Sequence, residues 1–403
     1  MLSKGTVVAV DVRVRGMRSE YARMETAFPR GYYLGNLASM QAELREKNLA
    51  CIAIFDPESI YWLTGYRSIG YFTFQCVLVL RDGGPLMVSR RVNRAVALSN
   101  ENIASFVGIE DTDDAVVVLA RTLSERIASG EAIGIETGSW YLTVQAWKAL
   151  SRALPNELVD WGGLIERART TKTPAQLGYM REAARAAVAG LDGAVRRIAP
   201  GRTENDLAAA MLHGATAAGS EYTRVPLVVV GQATGVCFTT WQRRPIRSGD
   251  VVFLEAAANI NRYHAIIART CIAGTPTAEH RRFADLVIES LNRAIDAIRP
   301  GVTSGEVDAA CRGVFEKAGI GHYFDHRTAY AIGIGFPPNW AEGRFLSLRP
   351  GDPTVLEPGM TFHVVPSLFM PEYGFCFSES VAVTDAGCEV LTDYPRRLIE
   401  AEA

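Results

Sequence analysis

The sequence predicts an α+β protein with two domains, in which an α/β domain precedes a larger domain that contains an internal repeat. The length of 403 residues is more than a single domain usually needs. Helix and strand patterns alternate through the first part of the chain, and a short motif recurs one hundred residues apart in the second part. A hydrophobic fraction of 48% with 21% charged residues allows a sizeable core.

The α/β domain is predicted to span residues 24–170. Apolar residues at helical spacing alternate there with short β-branched and aromatic runs, which is the element order of an α/β sheet. The Arg-rich segment 1–23 shows no sustained periodicity, and we expect it to be a disordered arm or the product of a misplaced start codon. The predicted strands are 51–55, 75–80 and 132–136, and a helix is predicted over 142–154.

The second domain is predicted to span residues 171–403. Thr173 and Pro174 form a helix start, since threonine caps exposed N–H groups and proline fits the first helical turn. Further on, Ile-Ala-Pro-Gly-Arg-Thr at 198–203 recurs as Ile-Arg-Pro-Gly-Val-Thr at 298–303. Each copy lies between two amphipathic helices, and the helices that follow the copies are predicted over 204–217 and 304–317. The matching flanks favour a duplication with pseudo-twofold symmetry, although Pro-Gly after a helix also recurs by chance. A duplication would place a site at the seam between its halves.

Charge and cysteine content argue against several classes of function. A net charge of −2 gives no electrostatic reason to expect a nucleic acid or an anionic membrane as partner. No apolar run approaches the roughly 18 residues of a membrane span, and the apolar patch near the start is too short for a signal peptide. The seven cysteines are scattered and never form a Cys-x-x-Cys pair, which disfavours disulfides and zinc knuckles. We therefore expect a cytoplasmic protein with reduced thiols.

Glu255 is the leading candidate for a catalytic group. It follows the apolar run 251–254 after a Ser-Gly-Asp turn, so it ends a predicted buried strand. A carboxylate there is costly unless it is paired, hydrogen-bonded or used in chemistry. Burial would raise its pKa and strengthen it as a nucleophile or a general base. The competing interpretation is a structural carboxylate that pairs with Arg262 or Arg269.

Two further residues are catalytic candidates. Glu379 interrupts another apolar stretch, 375–383, and two strand-borne carboxylates could converge at the seam. His264 follows Glu255 on what should be the return strand, and histidine exchanges protons near neutral pH. The alternatives are a salt bridge for Glu379 and an ordinary hydrogen-bonding role for His264.

Five residues of the second domain are candidates for substrate binding. The planar guanidinium of Arg262 could hold a substrate carboxylate through two parallel hydrogen bonds, with an ion pair to a nearby acid as the alternative. Tyr263 follows it directly, and His363 lies on another predicted strand, where it faces the site or packs against it. Tyr330 and Trp340 flank a Gly-Ile-Gly turn and could wall a small pocket, or else pack in the core.

The second half of the chain resembles the "pita-bread" fold that methionine aminopeptidase, prolidase and creatinase share. The resemblance is carried by the duplication, by the helix start Lys-Thr-Pro-Ala-Gln at 172–176 and by Ser-Gly-Asp-Val-Val at 248–252. The two-domain layout over residues 34–400 is similar to the creatinase/prolidase branch. The resemblance implies a pita-bread C-terminal domain preceded by an α/β creatinase-type domain.

The peptidases of that family bind two divalent metal ions through two Asp, one His and two Glu. By the resemblance, the five positions fall on Glu255, Ile266, Ile332, Val365 and Glu379, so three of them are aliphatic. Aliphatic side chains offer no lone pair, and two carboxylates alone make an incomplete metal site. The resemblance therefore implies no metal and no cofactor, as in the metal-independent members creatinase and ectoine hydrolase, which cleave C–N bonds in small solutes.

The chain also departs from the metal-independent members. Phe238 stands where they usually carry a catalytic histidine. In creatinase-like proteins the N-terminal domain of one subunit closes the other subunit's site, so the resemblance implies a homodimer. Arg67 and Tyr71 are then candidates to bind substrate in trans, although alternating aromatic residues are more often core. The likeness to ectoine hydrolase is carried by segments 30–36, 262–264, 337–340, 347–352 and 356–363.

These observations predict a metal-independent hydrolase of a C–N bond, other than a peptide bond, in a small nitrogenous solute. An ectoine-like cyclic amidine is the first expectation and a creatine-like amidino compound the second. Two alternatives stay open: a Xaa-Pro dipeptidase that recruits metal through unusual ligands, and a pseudoenzyme that binds a ligand without turnover. The aliphatic residues weigh against the first alternative, and the Glu255/Glu379 pair weighs against the second.

Overall fold

The computed structural model describes residues 23–342 and 344–401. The predicted arm therefore lies, except for its last residue, outside the described part of the chain. The chain divides into two compact units after Glu166. Among the described residues, no helix is both long enough and apolar enough to span a membrane.

The first unit is built on one six-stranded mixed sheet. Its strand order is β4-β3-β2-β1-β5-β6, with β1 antiparallel to β2 and parallel to β5. The apolar runs that predicted strands are buried on the sheet because their β-branched and aliphatic side chains fill both faces. The strands are β1 (Leu49–Ile54), β2 (Gln75–Leu80), β3 (Leu86–Arg90), β4 (Ser105–Ile109), β5 (Ala132–Ile135) and β6 (Leu158–Asp160).

Helices connect these strands, as the α/β prediction requires. Leu37, Met40 and Leu44 form the buried face of the first helix, which confirms their helical spacing. The last helix runs across the division between the units. The helices are α1 (Arg30–Glu46), α2 (Pro57–Thr64), α3 (Arg94–Ser99), α4 (Ala115–Ser124), α5 (Val144–Ala153) and α6 (Leu164–Thr170).

The second unit contains two larger sheets and a short hairpin, β13-β14. One sheet has the order β17-β9-β8-β7, and the other has the order β11-β10-β12-β15-β16. The strands are β7 (Leu227–Val230), β8 (Val251–Ile260), β9 (Tyr263–Ala273), β10 (Ala329–Ala331), β11 (Ser347–Leu348), β12 (Thr361–Val364), β13 (Ser367–Phe369), β14 (Gly374–Cys376), β15 (Glu379–Thr384), β16 (Gly387–Val390) and β17 (Ile399–Ala401).

Two pairs of helices cover the outer faces of these sheets. The first pair packs on β8 and β9 through an alanine-rich cluster, and the second pair packs on the β12 sheet through Phe, Leu and Val side chains. The opposite faces of the two sheets line the interior, where the candidate site lies. The helices are α7 (Pro174–Val195), α8 (Glu204–Ala217), α9 (Ala278–Ala297) and α10 (Ser304–Lys317).

The internal repeat recurs in the structure. Gly201 and Gly301 have φ angles of 85° and 86°, a left-handed conformation that glycine adopts without strain. Thr203 and Thr303 each close a capping box on a helix of 14 residues. The predicted bounds of α8 and α10 are those of the structure, because their start signals are local and complete.

The two sheets meet where β9 passes the start of β15. Ser378 N–H donates to the Ala268 carbonyl, and Ala268 N–H donates back to the Ser378 hydroxyl oxygen at 2.6 Å. The sequence suggested that residues 375–383 are one apolar stretch. This junction divides the stretch between β14 and β15. The predicted α+β class is confirmed by the mixture of parallel and antiparallel strands with covering helices.

Strand β8 continues beyond the point at which the sequence predicted its end. Glu255 lies in the middle of it, and Ile260 pairs with Tyr263 across a two-residue hairpin loop. Asn261 and Arg262 both have positive φ, 48° and 64°, as a type I′ turn requires. Small alanines after Glu255 maintain the strand and fit beneath the helices.

Candidate active site

A cavity opens on the interior face of the second unit, and its volume is about 740 Å³ when the open solvent at its mouth is included. Side chains from β7 and β8 form one wall, and β10 with the loop that follows it forms another. The floor is largely apolar, as is typical of small-molecule sites with a few convergent polar groups. Its polar lining includes Glu255, Arg224, Tyr330 and Asn339.

Glu255 projects into this cavity. Its side chain is 5% exposed, and no hydrogen-bond donor to its carboxylate is recorded among the described residues. Burial raises its pKa to about 7, and the positive charge of Arg224 opposes that rise. A carboxyl group with this pKa exchanges a proton near neutrality, which suits a nucleophile or a general base.

Arg224 lines the cavity, as does Arg327, and the sequence singled out neither of them. It lies half-buried in the loop before β7, and its guanidinium stacks 4.3 Å from the centre of the Trp340 ring. Within the described chain it forms no ion pair with a carboxylate, so its N–H groups can bind an anion. Its sequence context, a polar loop without periodicity, gave no signal.

Tyr330 and Trp340, two predicted binding residues, both line the cavity. The indole N–H of Trp340 donates to the Tyr330 hydroxyl at 3.0 Å. The same hydroxyl lies 2.7 Å from Nδ1 of His363, and Nε2 of that ring lies 2.6 Å from the Ser378 hydroxyl. Burial lowers the pKa of His363 to about 3, so its ring is neutral. His363 therefore lies behind the cavity wall and contacts it through Tyr330.

Glu379 does not join Glu255 at the cavity. On β15, Ser380 pairs with His363 and Glu379 pairs with Val364, so Glu379 points to the outer, helix-covered face. There its carboxylate accepts hydrogen bonds from Arg269 at 2.7 Å and Arg396 at 2.9 Å, and a short one from Thr392. The predicted convergence of the two acids is corrected: the strand register turns Glu379 away, and Ser378 faces the interior instead.

His264 lies on the same face as Glu255 but four residues farther along the ladder, since Glu255 pairs with Ala268 and Asn259 pairs with His264. At roughly 3.3 Å per residue this separation is about 13 Å. Its Nδ1 contacts the Arg262 carbonyl at 2.9 Å, and burial lowers its pKa to about 3. The geometry therefore does not place His264 at the cavity as a proton carrier for Glu255.

Arg262 is fully buried, and its guanidinium donates hydrogen bonds to backbone carbonyls instead of lining the cavity. Its Nε and Nη2 donate to the Gly335 carbonyl, and Nη1 donates to the Tyr222 carbonyl. These contacts secure the hairpin loop to two neighbouring loops. Tyr263, which follows it, accepts a hydrogen bond from Gln176 at 2.8 Å and is also absent from the cavity wall. Neither residue lines the cavity that Glu255 faces, so the structure does not place them in direct contact with a substrate bound there.

The mouth of the cavity carries two aromatic rings. Phe238 is 71% exposed with φ of 62°, and its ring lies 6.3 Å from that of His326. The structure places His326 half-buried on the cavity wall. Its position depends on the loop before β10 folding back over the sheet, which no local pattern indicates.

Arg67 and Tyr71 belong to the first unit. Tyr71 is buried in a single 3₁₀ turn, Ile69–Phe72, and its ring meets Tyr141 edge-on at 6.5 Å. Arg67 precedes that turn and is half-buried. Ile69 and Phe72 are exposed to 72% and 74%, so the turn presents apolar side chains at its surface. A role in a partner's site stays a prediction.

Two family models match the chain. The Metallopeptidase family M24 model matches residues 178–385, and the Creatinase/Prolidase N-terminal domain model matches residues 37–171. The ectoine hydrolase of Halomonas elongata is 32% identical over 92% of this chain and 98% of its own. The Xaa-Pro dipeptidase of Pyrococcus furiosus is 26% identical over 88% and 96%. A prolidase structure from Thermococcus sibiricus superimposes with a TM-score of 0.82 at 22% identity, over 91% of this chain and 99% of that one.

These matches define the class of the protein as a two-domain pita-bread hydrolase that acts on carbon–nitrogen bonds. The predicted fold is thereby confirmed. More closely, the chain belongs to metallopeptidase family M24, in the branch that carries a creatinase/prolidase N-terminal domain.

The residues around Glu255 do not fit the pair of metal ions that the family name implies. The interior positions Ile266, Ile332 and Val365 are buried aliphatic residues. Within the described chain, the only three acidic, histidine or cysteine side chains whose ligand atoms lie within 4.8 Å of one another are Asp56, Glu136 and Glu166, in the first unit. A lone carboxylate cannot hold two hard cations.

Proposed function

We propose that the protein hydrolyses a C–N bond in a small cyclic amidine that bears a carboxylate, as ectoine does, without a metal ion. The observation that carries the proposal is Glu255, a buried carboxylate that lines a cavity without a hydrogen-bond donor among the described residues. The likeness of the whole chain to the Halomonas elongata ectoine hydrolase supports the substrate class. A creatine-like amidino compound is the second substrate class.

The cavity chemistry suits an amidinium that also carries a carboxylate. The positive amidinium would lie against the Glu255 carboxylate and the Tyr330 and Trp340 rings, because aromatic faces attract cations. The substrate carboxylate would bind the Arg224 guanidinium through a charge-assisted fork. The two charges of the substrate would thus lie against the opposite charges of Glu255 and Arg224.

Hydrolysis requires Glu255 in its ionised form. The carboxylate either attacks the amidine carbon itself or removes a proton from the water that does. When Glu255 acts as the base, the water oxygen becomes the carbonyl oxygen of the amide product. When Glu255 is the nucleophile and the covalent intermediate is cleaved at the Glu255 carbonyl, that oxygen comes from Glu255 and the water oxygen replaces it. In both routes one C–N bond breaks, and the departing nitrogen gains a proton to become an amine. Water labelled with ¹⁸O separates the routes in a single turnover, because a covalent intermediate cleaved at the Glu255 carbonyl leaves the label on the enzyme.

The test is product analysis by mass spectrometry after treatment of the protein with a strong chelator. The panel contains ectoine, 5-hydroxyectoine, creatine, related guanidino acids and Xaa-Pro dipeptides, and the Glu255→Gln variant is the control. With the wild type and not with the variant, we expect either one cyclic amidine to gain the mass of water or one amidino compound to give two products whose masses sum to that of the substrate plus water.

Other outcomes overturn the proposal. Cleavage of a dipeptide only after divalent metal is restored would identify a Xaa-Pro dipeptidase. Binding of a panel compound by calorimetry with no product, with or without metal, would identify a protein that binds without turnover. A fully active Glu255→Gln variant would exclude the proposed mechanism even if the substrate is right.

We also propose a homodimer in which the first domain of one subunit completes the site of the other. The exposed Ile69 and Phe72 beside Tyr71 support an apolar contact at this turn. Mixing two inactive variants, Glu255→Gln and Arg67→Ala, is the test. Recovery of activity after exchange of subunits is expected, since a mixed dimer contains one intact site. A monomer by ultracentrifugation, or no recovery despite exchange, would contradict it.

A further inference from the structure

We propose that Tyr330 is held as a hydrogen-bond donor toward the cavity by a buried chain of partners that ends at Ser378. The chain runs from Trp340 through Tyr330 and His363 to Ser378. Its four side chains are at most 6% exposed. This inference rests on the proposed function, because it assigns a hydrogen-bond donor to the reacting end of the proposed substrate.

Each end of the chain has a fixed direction. The Trp340 indole N–H can only donate, and it donates to the Tyr330 oxygen at 3.0 Å. The Ala268 backbone N–H can also only donate, and it donates to the Ser378 oxygen at 2.6 Å. Neutral His363 between them has one N–H and one ring nitrogen that accepts. Only two arrangements of its proton are therefore possible.

In the first arrangement the proton is on Nδ1 of His363. Nδ1–H donates to the Tyr330 oxygen, and the Ser378 hydroxyl donates to Nε2. Every buried N–H and O–H of the chain then has an acceptor except the Tyr330 O–H. That hydrogen has the cavity before it, where water or substrate accepts it.

In the second arrangement the proton is on Nε2, which donates to the Ser378 oxygen, and the Tyr330 O–H donates to Nδ1. The Ser378 oxygen then accepts from both Ala268 and His363, and its own O–H needs another acceptor. No further acceptor for that hydroxyl is recorded in residues 23–342 and 344–401, and Ser378 is fully buried. A buried donor without an acceptor is unfavourable, so the first arrangement is favoured.

Within this chain, Ser378 and His363 are positioning residues because they act on the substrate only through Tyr330. The Tyr330 hydroxyl stays protonated, since burial and the Glu255 charge raise its pKa well above its usual range. A donor fixed in direction before the substrate arrives loses little entropy on binding. Its natural acceptor is the substrate nitrogen or the oxygen that develops charge as the C–N bond breaks.

The decisive measurement is the tautomer of His363 by ¹⁵N NMR with selectively labelled histidine. The protein has six histidines, and the signal of His363 is assigned by its loss in the His363→Asn variant. We expect the proton on Nδ1 across neutral pH. A proton on Nε2 would overturn the proposal whatever the enzyme's substrate is, so this result does not depend on the proposed function.

A second test of the donor role is steady-state kinetics with the substrate that the mass-spectrometric panel identifies. Tyr330→Phe is expected to lower kcat/KM about tenfold to a hundredfold, which is typical of losing a hydrogen bond to a charged group. His363→Asn retains an N–H near the Nδ1 position and should lose less activity than His363→Leu. An unchanged kcat/KM in Tyr330→Phe, with Nδ1 protonated, would overturn the donor role.

Discussion

Glu255 and Glu379 are two buried glutamates on strands of the same unit, and their surroundings differ in kind. Glu379 accepts hydrogen bonds from two arginines and a threonine on the helix-covered face. Glu255 faces a cavity, and its carboxylate has no recorded donor among the described residues; the charge of Arg224 is its main compensation. Burial alone therefore does not distinguish a reactive carboxylate from a structural one.

The difference lies in what each carboxylate could gain from a ligand. Two arginines already donate to Oε1 of Glu379 and Thr392 donates to Oε2, so a substrate cation would have to displace one of these partners. The Glu255 carboxylate faces the cavity without a recorded hydrogen-bond donor among the described residues, so a ligand can supply one. A group that binds or reacts with a substrate requires such access. Substitutions at each carboxylate and at its partners test this contrast.

The largest effect is expected from Glu255→Gln. The amide has nearly the same shape but cannot attack carbon or accept a proton from water, so kcat should fall at least about ten-thousandfold, or about 5 kcal/mol. Steady-state kinetics on the substrate identified by the product panel measure it. Unchanged circular dichroism and elution volume establish that the fold is retained, and residual activity above one per cent would contradict the proposed role.

The next effect concerns stability. Glu379→Ala leaves Arg269 buried without its carboxylate, and breaking a buried ion pair by removing one partner costs about 3–5 kcal/mol of unfolding free energy. Chemical denaturation measures it. The matched control is Glu389→Ala, whose partner Arg181 is 42% exposed, and here the loss should be below about 1 kcal/mol. Equal losses in the two variants would contradict the contrast between buried and exposed pairs.

A pH dependence should separate the wild type from Glu255→Gln. The pKa of Glu255 is raised from 4.5 to about 7 in the folded state, so folding favours its protonated form. Its contribution to stability is present below pH 4.5 and is lost as pH rises to about 7, by up to about 3 kcal/mol. Denaturation from pH 4 to 8 should therefore show the variant gaining stability relative to the wild type.

The same pKa governs activity with the opposite sign. Since the ionised carboxylate is the reactive form, kcat/KM should rise with pH and level off above about 7. A flat profile from pH 5 to 8 would show that Glu255 does not titrate in the reacting enzyme.

The smallest effect is expected from Arg224→Gln. Loss of a charge-assisted hydrogen bond should raise KM for a carboxylate-bearing substrate about tenfold to a hundredfold, and should leave an analogue without the carboxylate nearly unaffected. The control is Arg293→Gln on the exposed face of α9. Equal losses for both substrates would assign Arg224 a structural role, and the variant should also move the pH profile upward because Arg224 lowers the pKa of Glu255.

The fold was more accessible from sequence than the site. The bounds of α8 and α10 follow from capping residues a few positions apart, which any window along the chain contains. The break between β14 and β15 depends on Ala268, more than a hundred residues away, so the local pattern concealed it. Long-range pairing, not propensity, decides such points.

The same limit applies to the candidate residues. A carboxylate within an apolar strand is a local signal, and it indicated Glu255 and Glu379 equally. Only the register shows which face each occupies, and Arg269 and Arg396 become partners of Glu379 through the fold. Arg224 and His326 reach the cavity from loops without a pattern. The catalytic and binding roles themselves stay predictions.

At Phe238, laboratory selection for stability and laboratory selection for turnover should favour different residues. A phenylalanine at φ of 62° carries a backbone cost of about 1–2 kcal/mol, and a ring that is 71% exposed recovers little of it by burial. A screen for heat resistance alone should therefore return glycine or asparagine at this position. A screen for substrate consumption should retain an aromatic ring at the cavity mouth, and the two libraries would diverge first at this residue.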